Sequence, residues 1–142
     1  MGCFNSCVVQ APVDKVWGAL RSFHDFSWAS SVIQKVDVVG GAAGDQIGAR
    51  RVLNDAFHET LLELNDADRI LTYSIDDGPD AVSKERVTDY VGRVQVRPVT
   101  DGDVTFVEWS SSWADSKGGV KEFCDPIYKA LLASLQAHFA PK

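Results

Sequence analysis

Two charged residues interrupt stretches of sequence that are otherwise apolar enough to be buried in a sheet. Glu59 lies in "FHETLLELNDADRILTYSI" (57–75), which has the pattern of two strands joined by a tight turn. Arg51 lies in the preceding stretch, "QIGARRVLN" (46–54). Because successive side chains of a strand point to opposite faces, the more apolar face of this stretch carries Ile47, Ala49, Arg51 and Leu53. The alternation therefore predicts that Arg51 points inward.

A carboxylate and a guanidinium that face one apolar cavity would support proton-transfer chemistry. Burial raises the pKa of a carboxyl group, which would let Glu59 exchange a proton near neutral pH. An adjacent Arg51 opposes that shift and can hold a developing oxyanion. The alternative is a plain cross-strand salt bridge, worth a few tenths to ~1 kcal/mol. Periodicity leaves the direction of Glu59 open, because Leu62 and Leu64 make the opposite face of its strand apolar as well.

The elements that would position these side chains follow the order strand, two short helices, six strands and a long helix. A strand over 4–10 leads to Pro12, which is suited to the first turn of a helix, and an apolar i, i+3, i+4, i+7 stripe predicts that helix over 12–21. A second short helix is expected within 22–32, with its aromatic residues Phe23, Phe26 and Trp28 turned inward. The six later strands are predicted over 33–40, 46–54, 56–65, 69–75, 86–99 and 104–115.

The last element is a helix after Gly118-Gly119, with a kink or a break expected near Asp125 because Pro126 lies inside its pattern. This order predicts a single α+β domain over residues 1–142. Its natural assembly is a seven-stranded, mostly antiparallel, curved sheet wrapped around the long C-terminal helix.

The composition of the 142-residue chain is that of an ordinary globular domain, with 45% hydrophobic and 24% charged residues. The formal net charge of −6 disfavours nucleic acid and anionic membranes as partners, because both are bound through clustered Lys and Arg. No run of about 18 apolar residues is present, so we expect no stable membrane insertion. We also expect no secretory leader.

Cysteine and histidine usage predicts reduced thiols, a cytoplasmic location and no metal site. The three cysteines, Cys3, Cys7 and Cys124, include no CxxC pair, and the three histidines are dispersed. Cys124 is expected to be a small buried hydrophobe. The start of the chain, "MGCFNS", matches the acylation pattern M-G-x-x-x-[ST]. The alternative is an accidental match in front of a strand that begins near Phe4, which would leave little tether.

Five sequence pieces in this order resemble the START-like helix-grip (SRPBCC) superfamily over essentially the whole chain. The pieces are "APVDKVWGAL", "VVGGAAGDQIGARRV", "HETLLELNDADRILTYSI", "VQVRPV" and "VEWSSSW". The resemblance is closest to the polyketide cyclase/dehydrase and lachrymatory factor synthase branch, which also lies near the plant abscisic acid receptors. It implies a helix-grip fold whose cavity, between the sheet and the long helix, holds a small hydrophobic or amphipathic molecule.

The resemblance also implies roles for particular residues. Glu59 and Arg51 match the catalytic pair of the lachrymatory enzyme, and Tyr90 matches a family tyrosine that is either a catalytic group or a cavity wall. No cofactor is implied. The expected ligand-binding residues are Trp28, Phe57, Leu61, Tyr73, Glu108, Trp109, Phe123, Ile127 and Leu131. Glu108 matches a family acid in "VEW", with a partly exposed strand position as the alternative.

The chain departs from the hormone-receptor pattern in two places. Lys35 is the nearest counterpart of the receptors' ligand-anchoring lysine, and the loop "DDGPDAVSKE" (76–85) lacks their gate signature. The missing gate signature argues against hormone reception. Because some members of the family only bind or carry and a minority catalyse, we expect a binding or carrier protein that is a monomer or a weak homodimer. The alternative is a cofactor-free cyclase, dehydratase or isomerase in which Glu59 shuttles a proton and Arg51 holds charge.

Overall fold

A curved antiparallel sheet and one long helix make up most of the fold in the computed structural model, which describes residues 2–141. The sheet has seven strands in the order β1-β8-β7-β5-β4-β3-β2, and helix α2 packs against its inner face. The sheet strands are β1 (Gly2–Val9), β2 (Val36–Val39), β3 (Arg50–Leu53), β4 (Phe57–Asn65), β5 (Ile70–Asp77), β7 (Val91–Val99) and β8 (Val104–Ser112). The helices are α1 (Val13–Leu20) and α2 (Val120–His138), and strands β6 (Val87–Thr88) and β9 (Asp115–Ser116) form a separate ribbon. The predicted α+β helix-grip fold is confirmed.

Helix α1 starts directly after Pro12 and buries its apolar stripe against the sheet. The indole of Trp17 is buried and its Nε1 donates to Asp66 Oδ1 at 2.8 Å, which ties the helix to the turn between β4 and β5. Arg21 binds the same carboxylate. The predicted second helix is a single 3-10 turn over Ser27–Ala29, and the three aromatic residues expected to turn inward there are all buried.

A β-bulge at Leu62 explains why periodicity could not orient β4. Leu61 pairs with Tyr73 and Glu63 pairs with Thr72, so Leu62 has no partner and the side-chain alternation shifts by one position. Residues on both halves of the strand therefore reach the inner face. Glu59 and Leu61 do so before the bulge, and Leu64 does so after it.

Two predicted strands are interrupted by backbone in the left-handed region. The strand predicted over 46–54 begins only at Arg50, after Gly48 with φ +91°, and Ile47 is exposed instead of sharing the inner face. The strand predicted over 86–99 is divided at Asp89, whose φ of 55° lies in the left-handed region and ends β6 before β7 begins.

Helix α2 runs through Pro126 without a break, contrary to the expected interruption near Asp125. Gly119 precedes the helix with φ 82°, a left-handed conformation that suits glycine. Asp125 pairs with Lys121 one turn earlier and accepts a hydrogen bond from Asn5 of β1 at 3.0 Å. The helix is therefore fixed to the edge strand at the position where proline removes one backbone bond.

The first strand begins at Gly2, where it pairs with Ser112, and a Cβ at Gly2 would overlap the Ser111 carbonyl oxygen. Cys3 is buried in the core. The residues of the acylation pattern from Gly2 to Ser6 thus lie within β1, and its Met1 lies outside the described residues. None of the helices within residues 2–141 has the length and apolarity needed to cross a membrane.

Candidate functional site

A small internal cavity lies between the inner face of the sheet and helix α2. It has a volume of about 30 Å³ for the centres of water-sized spheres, room for about two water molecules. Its wall is apolar apart from one charged pair and two tyrosines. It is lined by Phe26, Ile33, Arg51, Leu53, Phe57, Glu59, Tyr73, Ile75, Trp109, Cys124, Ile127, Tyr128 and Leu131.

The charged pair on this wall is Arg51 and Glu59, neighbours across strands β3 and β4. Arg51 Nε and Nη2 both donate to Glu59 Oε1, at 2.8 and 2.6 Å. Nη1 donates to the backbone oxygen of Phe23 at 2.7 Å. The side chains are only 5% and 6% exposed. The pair is thus a cross-strand ion pair, as considered from the sequence, and it is buried where it faces an apolar space.

Aromatic rings surround the guanidinium of Arg51 on several sides. Its Cζ lies 3.7 Å from the ring centre of Phe23, 4.7 Å from that of Phe26 and 5.3 Å from that of Tyr73. Ring faces carry negative charge density, so these contacts stabilise the cation where water is excluded. Together with Glu59 they hold the guanidinium in one orientation at the cavity wall.

Burial raises the pKa of the Glu59 carboxyl above its ordinary value, and the nearby Asp76 adds to the shift. The Arg51 charge and its hydrogen bonds oppose the shift without cancelling it. An upward shift of this pKa is the direction that a proton-exchanging carboxyl group needs.

A chain of hydroxyl groups lies beside the pair on the same side of the core. Trp109 Nε1 donates to the Tyr73 hydroxyl at 2.9 Å, and that hydroxyl lies 3.4 Å from the Tyr128 hydroxyl. The Tyr128 hydroxyl also bonds to that of Tyr90, which donates to Cys124 Sγ at 3.6 Å. Burial raises the pKa of the Cys124 thiol to about 11, so this sulfur is a protonated, weak acceptor and not a nucleophile.

The structure brings most of the sequence-predicted site residues to the cavity but separates others from it. Those on its wall are Arg51, Phe57, Glu59, Tyr73, Trp109, Ile127 and Leu131. Leu61 is buried in the core beside the cavity, Phe123 packs on Phe57 with ring centres 6.4 Å apart, and Trp28 lines a second, smaller cavity. Tyr90 does not line the cavity, and its hydroxyl contacts two residues that do, Tyr128 and Cys124.

Two charged residues considered from the sequence lie away from the cavity, and Glu108 takes the partly exposed strand position that was its alternative. Glu108 lies on the outer face of β8, between the buried Val107 and Trp109, and pairs with the exposed Arg97 at 3.5 Å. Strand alternation prevents it from sharing the cavity with the adjacent Trp109. Lys35, the possible ligand anchor, is exposed and pairs with Asp55 at 2.7 Å.

Tyr128 is the main residue of the site that the sequence interpretation missed. The sequence predicts Cys124 to be buried and Ile127 and Leu131 to bind the ligand. Tyr128 lies one helical turn after Cys124 on the same face of α2. The i, i+4 spacing was the available signal. Within residues 2–141, no group of three His, Cys, Asp or Glu side chains comes together in a way that could hold a metal ion.

Comparisons with known proteins agree with the fold. The sequence model of the family described as "Polyketide cyclase / dehydrase and lipid transport" matches residues 5–140. No curated protein matches the chain. A solved protein from Nitrosospira multiformis is 45% identical, with a TM-score of 0.95, over 99% of this chain and 97% of that one.

More distant structures share the architecture alone. An uncharacterised protein from Bacillus thuringiensis is 23% identical, with a TM-score of 0.79, over 99% of this chain and all (100%) of that one. The major latex-like protein 151 of Panax ginseng is 16% identical, with a TM-score of 0.78, over 99% and 98% of the two chains. The match across 5–140 shows that the chain belongs to the polyketide cyclase / dehydrase and lipid transport family, whose fold supports a ligand-binding cavity.

Proposed function

We propose that this protein binds a small amphipathic molecule in the cavity between the sheet and α2, with the polar end of the ligand against Arg51 and Glu59. The observation that carries the proposal is the buried ion pair on an otherwise apolar cavity wall. Ligand pockets have this composition, apolar surface with a few polar groups that fix orientation. The family description, which joins cyclases with lipid transport, agrees with a ligand of this class.

The pair is difficult to explain as a stabilising element alone. Removing two charges from water costs several kcal/mol per ion, about as much as their attraction returns, and apolar replacements of the same volume are often at least as stable. Oε1 of Glu59 accepts both hydrogen bonds from Arg51, and within the described residues Oε2 accepts none. That oxygen supplies a polar contact for a ligand.

Ligand entry requires the cavity to enlarge. At about 30 Å³ its present space has room for about two water molecules and is far smaller than a ring-sized molecule needs. The partly exposed side chains beside it are Phe57 of β4 together with Phe123 and Ile127 of α2. We place the entrance between these two elements, because their side chains can move without disturbing the sheet.

Ethylbenzene is a suitable probe for this proposal, because it tests the apolar part of the cavity without a polar group. Methyl resonances of Ile33, Ile127 and Leu131 are expected to shift on titration. Ile127→Trp, which fills the cavity from the helix side, should weaken binding by about tenfold or more. Val38→Trp, on an exposed strand position, is the matched control and should bind as the wild type does. Absence of any cavity shift up to the solubility of the probe would overturn the binding proposal.

A second candidate function is cofactor-free proton transfer, as in a cyclase, dehydratase or isomerase. The observation in its favour is the raised pKa of Glu59 at the cavity wall, beside a guanidinium able to hold a developing oxyanion. Tyr90 is less suited to a direct catalytic part than expected, since it does not line the cavity. Tyr73 and Tyr128 are the hydroxyl groups nearer to a bound molecule.

Glu59→Gln separates the two functions once a converted substrate is found. If Glu59 is the base, the variant keeps substrate affinity within about tenfold and loses turnover. Glu108→Gln, on the outer face of the sheet, is the control and should leave turnover unchanged. Turnover by Glu59→Gln at the wild-type rate would exclude Glu59 as the base while leaving the binding function in place.

A further inference from the structure

Two buried indole N–H groups, those of Trp28 and Trp113, have no acceptor among residues 2–141, and only Trp28 lines a cavity next to the main one. Trp17 Nε1 donates to Asp66 at 2.8 Å and Trp109 Nε1 donates to Tyr73 at 2.9 Å. Trp28 is 5% exposed, and its Nε1 has no hydrogen-bond partner among the described residues. An indole N–H is a donor only, and leaving it buried and unpaired costs about 1–3 kcal/mol. An acceptor that arrives with a ligand would recover this cost.

Trp28 lines a second cavity, which lies next to the main one. This space is about 10 Å³, enough for a single oxygen-sized group. Phe26, Arg51 and Trp109 line both cavities, so these three side chains lie where the two spaces adjoin.

Two side chains that line the smaller cavity carry N–H groups without a protein acceptor. Arg51 commits one N–H each from Nε, Nη1 and Nη2 to protein acceptors, and a guanidinium carries five, so two N–H groups remain. The Trp28 indole N–H is unpaired among the described residues. The carboxylate of Asp25 also lines this space, and Glu59 already pairs with Arg51. These charges favour a neutral acceptor over an anionic one.

We propose, building on the binding function above, that Trp28 Nε1 and the Arg51 guanidinium form a subsite for a carbonyl oxygen of the ligand. The apolar body of the ligand lies in the main cavity and its carbonyl group extends into the smaller one. Trp28 is then a specificity-determining residue that selects ketones or similar carbonyl compounds over hydrocarbons of the same shape.

Acetophenone and ethylbenzene form a matched probe pair, because they differ in the carbonyl group and are similar in shape. In wild-type protein labelled with ¹⁵N at tryptophan, acetophenone should shift the Trp28 indole N–H resonance downfield, as expected for a new hydrogen bond. Ethylbenzene should not produce this downfield shift. The Trp17 indole, already bonded to Asp66, is the internal control and should not respond to either probe.

Trp28→Phe removes the N–H and keeps an aromatic ring. Acetophenone affinity should fall about tenfold, as for loss of one buried hydrogen bond, while ethylbenzene affinity should change by less than about twofold. Trp113→Phe is the matched control, since its indole is also buried without a partner in the described residues but lines neither cavity. It should leave the ratio of the two affinities unchanged.

The outcomes separate this proposal from the binding function on which it rests. If both probes bind equally well and the Trp28 indole resonance behaves alike with both, the carbonyl subsite is excluded and the apolar cavity remains. An unchanged ratio of acetophenone affinity to ethylbenzene affinity in Trp28→Phe would also exclude the carbonyl subsite. If neither probe binds, both proposals fail. The wild-type resonance test decides the matter even if the Trp28→Phe variant does not fold.

Discussion

Arg51 and Glu59 form the buried ion pair on which the proposed function depends. Each interrupts an apolar strand, and the fold brings them into contact at 2.6 Å where water is excluded. An ion pair in this position stabilises the protein little overall, but removal of either partner alone leaves an uncompensated buried charge. The pair therefore makes a sharp prediction about single and double substitutions.

Arg51→Met should lower the free energy of unfolding by about 3–5 kcal/mol, because Glu59 loses its partner inside the core. Adding Glu59→Leu should restore most of that loss, since no buried charge then remains. Arg97→Met removes a partner from the exposed pair with Glu108 and should cost less than about 1 kcal/mol. Chemical denaturation of the four proteins measures these differences. Equal effects of Arg51→Met and Arg97→Met would contradict the buried pair.

The raised pKa of Glu59 also fixes how stability depends on pH. A carboxyl group whose pKa is higher in the folded than in the unfolded state binds more protons when the protein is folded. Its contribution to the free energy of unfolding is therefore complete below about pH 4.5, the ordinary pKa of a glutamate. That contribution is lost as pH rises through the folded-state pKa. The stability of the wild type relative to Glu59→Gln should thus fall above pH 4.5, by at most about 1.4 kcal/mol per pH unit. Denaturant unfolding between pH 4.5 and 8 tests this, and a relative stability that rises with pH would contradict it.

The alternation of side chains along a strand predicted the inward direction of Arg51 in β3 but could not orient the side chains of β4. It oriented Arg51 correctly, because Ala49 and Leu53 on the same face are also buried. It failed for β4, because the bulge at Leu62 shifts the phase in the middle of the strand and no residue type there announces a bulge.

The cavity-facing direction of Glu108 was considered for a different reason. That direction was inferred from a family motif, although alternation places Glu108 opposite Trp109, and only one of two adjacent strand residues can face the cavity. Element order was predictable because it depends on long apolar patterns, and the helix-grip fold was implied by the family resemblance. The closed form of the cavity was not, since it depends on how individual side chains such as Tyr128 pack.

The pairing of β5 with β7 leads to a further prediction about how the strands pack. Gly92 pairs with Tyr73, and a Cβ at Gly92 would overlap the tyrosine ring. Gly92→Ala should therefore displace Tyr73 from Trp109 and cost about 1–3 kcal/mol of stability. Gly18→Ala, at an exposed position of α1 with nothing within 4 Å, should instead stabilise by up to about 1 kcal/mol.

Thermal unfolding and the Trp109 indole resonance together check this pair of variants. The Trp109 resonance should move in Gly92→Ala, because its acceptor on Tyr73 is lost, and should stay in place in Gly18→Ala. A Gly92→Ala protein with wild-type stability and an unmoved Trp109 resonance would contradict the packing described here.

At the scale of the whole molecule, the fold holds one polar cluster inside an apolar shell. The sheet supplies Arg51, Glu59 and Tyr73, helix α2 supplies Tyr128, and the segment after α1 supplies Trp28. These residues come from distant parts of the sequence and meet around a space that is nearly closed. A cavity of about 30 Å³ beside buried charges has room for water, so the proposed ligand must open it through Phe57, Phe123 and Ile127.

Native mass spectrometry of the protein purified from its own cells tests the central claim most directly. We expect a fraction of the protein to carry one non-covalently bound small molecule, and we expect Ile127→Trp to lose it while Val38→Trp retains it. If the proposed carbonyl subsite is correct, the released molecule contains a carbonyl group. Detection of only the bare chain mass in the wild type, under conditions that preserve non-covalent complexes, would contradict the claim that this cavity binds a ligand.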